Sequence, residues 1–386
     1  MTDPEKNRLP ALAGATILLL AAALAWWWLA RPPAPPTVEP AVPAPPPALA
    51  LLGRGVNLSN WLQHGRPTQA PQYAPDDADF RHIRALGLTH VRLLADPAAL
   101  LTDRGLPDTE AFGALRSAIE AAQRQGLLVV LALQLPSPAK AGLAEREADR
   151  VALAGHWRWL AGALRDLPAA QLAFEPLNEP GTADARVSRE LMIRLAAEVR
   201  RAAPRHTIVV SGHRYSGVDE LAALRPLHDP NVVYGFHFYE PHNFTHQGAD
   251  WGDPAWAALR DFPYPSSPER VTERLNAAAP ETRDLLRWHG EERWNRERIR
   301  ARLAPAAQWA RTHGAAVWCS EFGVLKAHAD PADRAAWLRD VRETLEADGI
   351  PWTHWDYAGP FGIVSGARGA RVADAAAIEA LGLTRD

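Results

Sequence analysis

The sequence predicts a single (β/α)8 barrel set behind an N-terminal transmembrane helix and a proline-rich linker. Eight short apolar runs alternate with longer amphipathic stretches, which is the pattern of repeated β-then-α units. A twenty-residue stretch without a charge precedes them. The polar residues of the repeating part gather at or just after the C-terminal ends of the runs, where a barrel builds its sites.

Residues 1–10 are read as a cytoplasmic N-terminus and 11–30 as a transmembrane signal anchor. At about 1.5 Å rise per residue, twenty uncharged positions span about 30 Å of hydrocarbon. Trp26, Trp27 and Trp28 stand at the far end, where amphipathic rings suit the headgroup layer, and Lys6 and Arg8 precede the span. The tryptophans and following prolines make a poor cleavage site, which favours an anchor over a removed signal. Residues 31–48 form the linker. Nine of the sixteen residues from Pro32 to Pro47 are proline, a density that favours extended polyproline II and a semi-rigid spacer.

The barrel is expected over 49–386, with strands at 53–58, 90–94, 127–133, 172–177, 207–211, 232–239, 316–322 and 352–357. The run from Leu127 to Leu133 is apolar throughout, as suits a strand buried on both faces of a parallel sheet. Helical patterns fall between, at 77–86, 109–125, 148–164 and 186–203. An open doubly wound sheet would show a Gly-rich phosphate turn after its first strand, and the sequence has none there.

The formal net charge is −3 in 386 residues, so no positive field gathers nucleic acid. One Cys excludes an internal disulfide. The Ala-, Arg- and Pro-rich composition points to a bacterial source. With the anchor, this predicts a single-pass inner-membrane protein whose barrel is periplasmic or extracytoplasmic.

Glu179 follows the fourth strand and Glu321 ends the seventh, so the two acids can face each other across the barrel mouth. Such a pair is the minimum for glycoside hydrolysis, and it can also bind a divalent metal. A metal site would want more ligands at the same rim, and only His237 is evident. Trp355, Trp61, Tyr239, Phe244 and Trp251 supply flat rings of the kind sugars stack on, which favours the sugar reading.

The chain resembles glycoside hydrolase family five, the cellulase family of retaining β-glycosidases. The resemblance is carried by Gly55-Val-Asn-Leu-Ser-Asn-Trp61, Val91-Arg-Leu93, Phe174-Glu-Pro-Leu-Asn-Glu-Pro180, His237-Phe-Tyr239, Trp318-Cys-Ser-Glu-Phe-Gly323 and Trp355. It implies that Glu179 is the general acid/base and Glu321 the nucleophile. Asn178 would bind the sugar 2-hydroxyl, and Arg92 and Tyr239 would keep Glu321 ionised and oriented. His237 would sit near the acid/base, and Trp355 would floor the subsite of the cleaved sugar. Trp61 is expected to touch sugar as well. The family usually has a His after the third strand. Gln134 stands there, able to hydrogen-bond a hydroxyl but not to carry a proton. No metal or organic cofactor is required.

Other residues are expected in structural roles. Glu175 reads as a buried partner, Cys319 as a packed thiol, and His213 as lining the cleft or capping a strand. His242 and His246 read as part of a substrate-shaping loop, and 287–302 as a solvated helical face of mixed charge. The expected partners are a β-linked polysaccharide or oligosaccharide, the bilayer through residues 11–30, and a polysaccharide synthesis or export complex. A non-catalytic polysaccharide-binding scaffold is the competing reading, which intact Glu179 and Glu321 argue against.

Overall fold

The computed structural model describes residues 46–63 and 71–384. The N-terminus and helix expected over 1–30, and the linker up to residue 45, lie outside the described residues. Among the described residues no helix is long and apolar enough to cross a membrane. The expected boundary between linker and barrel shifts. Pro47–Ala50 form a 3-10 turn, and Ala48, 2% exposed, packs with Leu52 against Trp318. Proline fits the first turn of a helix, so the end of the proline run joins the fold rather than the spacer.

Eight strands close a barrel in sequence order. They are β1 (Arg54–Leu62), β2 (His90–Ala95), β3 (Leu128–Leu133), β4 (Leu172–Glu175), β5 (Thr207–Ser211), β6 (Val232–Phe238), β7 (Ala316–Phe322) and β8 (Trp352–His354). All neighbours are parallel, and β8 returns to β1 through Arg54↔Trp352 and Val56↔His354. Side-chain alternation sorts the apolar residues into two layers. Leu128, Val130, Ala173, Val209, Val233 and Trp318, drawn from five strands, share one cluster and so fill the interior. Val129, Leu131, Leu133, Phe174 and Val210 belong to the larger cluster shared with the helices.

Several helices start where a carboxylate satisfies their free N–H groups. Asp76 forms a capping box for Asp77–Ala85, Asp108 caps Thr109–Arg124, and Asp184 caps Ala185–Ala202. The crossover from β6 to β7 is long. It carries His242–Thr245, Pro268–Leu275, Arg283–Glu291 and Arg296–His313. Its arginines are more than the solvated face expected: Arg302 makes a bidentate pair with Glu240 at 2.6 and 2.8 Å, fixing a helix to the barrel rim. A small hairpin, Val364–Ser365 with Val372–Ala373, follows β8 and was not foreseen from the sequence.

Candidate active site

Arg92 on β2 is the hub. It is fully buried, and burial opposes its charge, but Glu175 and Glu321 outweigh that and hold its pKa above the ordinary value. Its Nε and Nη2 donate to the two Glu175 oxygens at 2.7 and 2.9 Å, the bidentate geometry the guanidinium suits. Nη1 donates to Asn57 Oδ1 at 2.9 Å and to Glu321 Oε1 at 2.7 Å, and Nη2 also donates to Asn178 Oδ1 at 2.7 Å. Glu175 is therefore the buried partner expected of it.

Glu321 owes its direction to an irregularity in β7. Phe236 pairs with Cys319 but His237 pairs with Glu321, which leaves Ser320 without a partner. Strict alternation would send Trp318 and Ser320 inward and Glu321 outward. The extra residue reverses that, so Glu321 joins Arg92 while Cys319 packs in the outer cluster. Tyr239, just past β6, donates its hydroxyl to Glu321 Oε2 at 3.0 Å. Burial and the adjacent Glu321 charge push the Tyr239 pKa well up, so it stays a donor. Gly323 is required here because a Cβ would lie 2.2 Å from the Trp355 carbonyl oxygen.

Glu179 sits on the turn after β4 with φ of 44°, the left-handed region that costs a non-glycine residue about 1–2 kcal/mol. The Asn178 N–H donates to Leu133 O at 2.8 Å and anchors that turn to β3. His237 bridges the two acids: Nδ1 lies 3.1 Å from Glu179 Oε1 and Nε2 lies 3.5 Å from Glu321 Oε1. Burial alone would raise the Glu179 pKa. The hydrogen bond and charge of His237, with the charges of Lys140 and Arg92, outweigh it and leave the carboxyl below its usual range. One oxygen each of Glu179 and Glu321 and one nitrogen of His237 all lie within 4.8 Å of one another.

Those three atoms could also ligate a divalent ion. Both Glu321 oxygens, however, already accept from Arg92 and Tyr239, and Lys140 Nζ lies 3.8 Å from Glu179 Oε2. A metal would have to displace donors and sit among two fixed cations, so the donor set fits a proton-transfer site better than a metal.

The remaining expected residues divide. Asn178 is buried, and its Nδ2 donates to Gln134 Oε1 at 2.5 Å, so Gln134 orients Asn178. Trp355 is partly exposed and packs against the cluster of Ala249, Leu325 and Phe361. Trp61 is more buried than a sugar platform on a rim loop would be. It is 5% exposed within the main apolar cluster, because β1 loses register between Leu58 and Leu62 around Asn60, whose φ is 68°. Phe244 is likewise buried, against Tyr264, whereas Trp251 is 48% exposed. His246 meets Tyr239 and Phe361 edge-on and Trp256 at a tilt, and burial pulls its pKa to about 3, so it belongs to an aromatic wall. His213 is partly exposed on the turn after β5. Lys140, in the helix Ser137–Glu145, was missed. In sequence it reads as one more helix cation, and only the fold shows it buried beside Glu179.

The family model for cellulase, glycosyl hydrolase family 5, matches residues 53–359. The chain belongs to that family. It is 26% identical to Endoglucanase 3 of Fibrobacter succinogenes over 82% of its own length, but spans only 51% of that relative. It is 27% identical to Endoglucanase C of Acetivibrio thermocellus, over 78% of this chain and 90% of that one. In fold it is similar to the clostridial cellulose synthase subunit Z of Clostridioides difficile. The TM-score is 0.70 at 23% identity, covering 86% of this chain and 99% of the other.

Proposed function

We propose that this family 5 hydrolase is an endo-acting β-glucanase that works with retention of configuration. The observation that carries the reading is the approach of Glu179 and Glu321 to within 4.8 Å, near the separation of about 5 Å used by retaining enzymes and short of the roughly 6.5–9.5 Å that inverting enzymes need for a water. Endo action on a β-glucan is taken from the printed names of the relatives, both endoglucanases.

In the first step a Glu321 oxygen attacks the anomeric carbon. The glycosidic C–O bond breaks, and the leaving oxygen takes a proton from Glu179. A sugar that covers Glu179 removes water from its 25% exposed side chain and so pushes its pKa up toward the protonated form. Once Glu321 is esterified its charge is gone. A like charge has then left the neighbourhood of Glu179, whose pKa falls again, and His237 and Lys140 favour the carboxylate needed as base. Glu179 then takes a proton from water, the water oxygen bonds to the anomeric carbon, and Glu321 is released.

The uncharged span at 11–30 supports a single-pass anchor holding the barrel outside the bacterial cytoplasm. A tethered hydrolase is placed to trim a polysaccharide emerging from a membrane synthase; the clostridial fold relative is named as a subunit of a cellulose synthase. Reducing-sugar release by the full chain in detergent, over a panel of β-1,3- and β-1,4-glucans, tests the activity. Turnover lost in Glu321→Gln supports it. Binding without turnover, unchanged in Glu321→Gln, would favour the scaffold reading instead.

A further inference from the structure

Lys140 and Tyr215 stand on the Glu179 side of the cleft; Lys140 enters the chemistry above only through its charge, and Tyr215 has no part in it. Lys140 is 8% exposed, yet among the described residues its ammonium makes no hydrogen bond, only the 3.8 Å ion pair with Glu179. The stem is buried while the ammonium opens to the cleft, so its donors are spent on no protein acceptor and are available to a ligand hydroxyl. Burial lowers the Lys140 pKa, against the pull of Glu179 and Glu321.

Its stem lies against Gly181, where a Cβ would come within 3.2 Å of Lys140 Cβ and Cδ. The Gly181 N–H in turn donates to Arg214 O at 2.9 Å, and the Arg214 N–H donates to Thr182 O at 3.0 Å. These bonds clamp the turn after β5 to the turn bearing Glu179. Arg214 and Ser216 both adopt left-handed backbone, with φ of 50° and 58°. Between them Tyr215 is 74% exposed. The Ser216 carbonyl accepts from the His237 N–H at 2.7 Å, which ties the far side of the turn to β6. Two strained residues, held by bonds to the site itself, display an aromatic ring to solvent. Strain of this kind persists where the surroundings impose it and clusters at ligand sites.

Resting on the glycosidase reading, the geometry points to Lys140 and Tyr215 as the leaving-group subsite: the Tyr215 ring receives the face of a β-linked hexopyranose, and Lys140 donates to its hydroxyls. Glu179 protonates the leaving oxygen, so the sugar attached to that oxygen lies on this wall. The donor sugar lies toward Glu321 and Trp355.

Two measurements test this on the full chain with defined probes. The first is the ratio of kcat/KM for cellotetraose to that for nitrophenyl β-cellobioside, which has no sugar on the leaving side. A lost hydrogen bond to a charged donor, or a lost stacking ring, predicts a fall of at least about tenfold for Lys140→Met and about fivefold for Tyr215→Ala. Lys140→Arg and Tyr215→Trp should recover most of it. The second, in Glu321→Gln, is calorimetric binding of cellotetraose, which should weaken by at least about fivefold when either change is added. A ratio and an affinity both within twofold of the parent would overturn the subsite. If the native chain hydrolyses neither probe, the hydrolase reading fails, and the binding measurement still decides the subsite. Tyr215 is exposed, so its variant remains informative should Lys140→Met not fold.

Discussion

The two carboxylates proposed for catalysis occupy opposite environments. Glu321 is 5% exposed, lies in a strand, and spends both oxygens on donors from β2 and from Tyr239. Glu179 rides a left-handed turn, keeps a quarter of its side chain exposed, and faces His237 and the loosely paired Lys140. The difference matches two duties. An attacking atom gains from being fixed within a few tenths of an ångström. A proton carrier must change charge twice in a cycle, which suits a group open to solvent and balanced between opposing influences.

The largest test of this contrast removes each acid in turn. Glu321→Gln should abolish turnover on natural and aryl glycosides alike, by about 10⁴-fold or more, since no covalent ester can form. Glu179→Gln should cost about 10²–10⁴-fold on a natural glucan. It should cost far less in the first step with a nitrophenyl glycoside, whose leaving group needs no proton. Equal losses on both substrates would erase the distinction.

Next in size is the fixed side itself. Arg92→Met leaves Glu175 buried without its counter-ion, so denaturant unfolding should show a loss of about 3–5 kcal/mol. Arg92→Lys should recover little, because one ammonium cannot reproduce bonds to Glu175, Asn57, Glu321 and Asn178 at once. Retained stability in Arg92→Met would show that Glu175 finds other partners.

A smaller effect belongs to the open side. Lys140 stabilises the Glu179 carboxylate, so Lys140→Met should raise the Glu179 pKa and keep the acid protonated to higher pH. The alkaline limb of kcat/KM should then move upward by about one unit or less, given solvent screening. A limb that stays in place or moves down would remove Lys140 from the acid's surroundings. Smallest is Tyr239→Phe, which removes one of two donors to Glu321 and should lower kcat by about tenfold, as one hydrogen bond to a charged group implies, with little change in melting temperature.

Most of the barrel was legible because buried parallel strands announce themselves: β5 and β7 fall where the apolar runs do, and β3 differs by one residue. Glu179 and Glu321 were legible as acids at strand ends. The direction of Glu321 was not, since it depends on Ser320 dropping out of register, which no periodicity shows. The burial of Trp61 was hidden for a related reason: β1 turns at Asn60 and carries the ring toward the core. Lys140 stayed hidden because a lysine in a helix normally faces water, and only packing against Gly181 and Glu179 reveals otherwise. The wall of Tyr239, His246, Trp256 and Phe361 joins the crossover from β6 to β7 with the segment after β8, a juxtaposition that tertiary structure alone creates.

Retention requires Glu321 to form a bond to sugar while Glu179 serves both halves of the cycle. Proton NMR of the first product released from a β-glucan oligosaccharide reads this directly. The account predicts that the new reducing end appears first as the β-anomer and only later mutarotates. Initial appearance of the α-anomer would mean a single displacement by water and would contradict it.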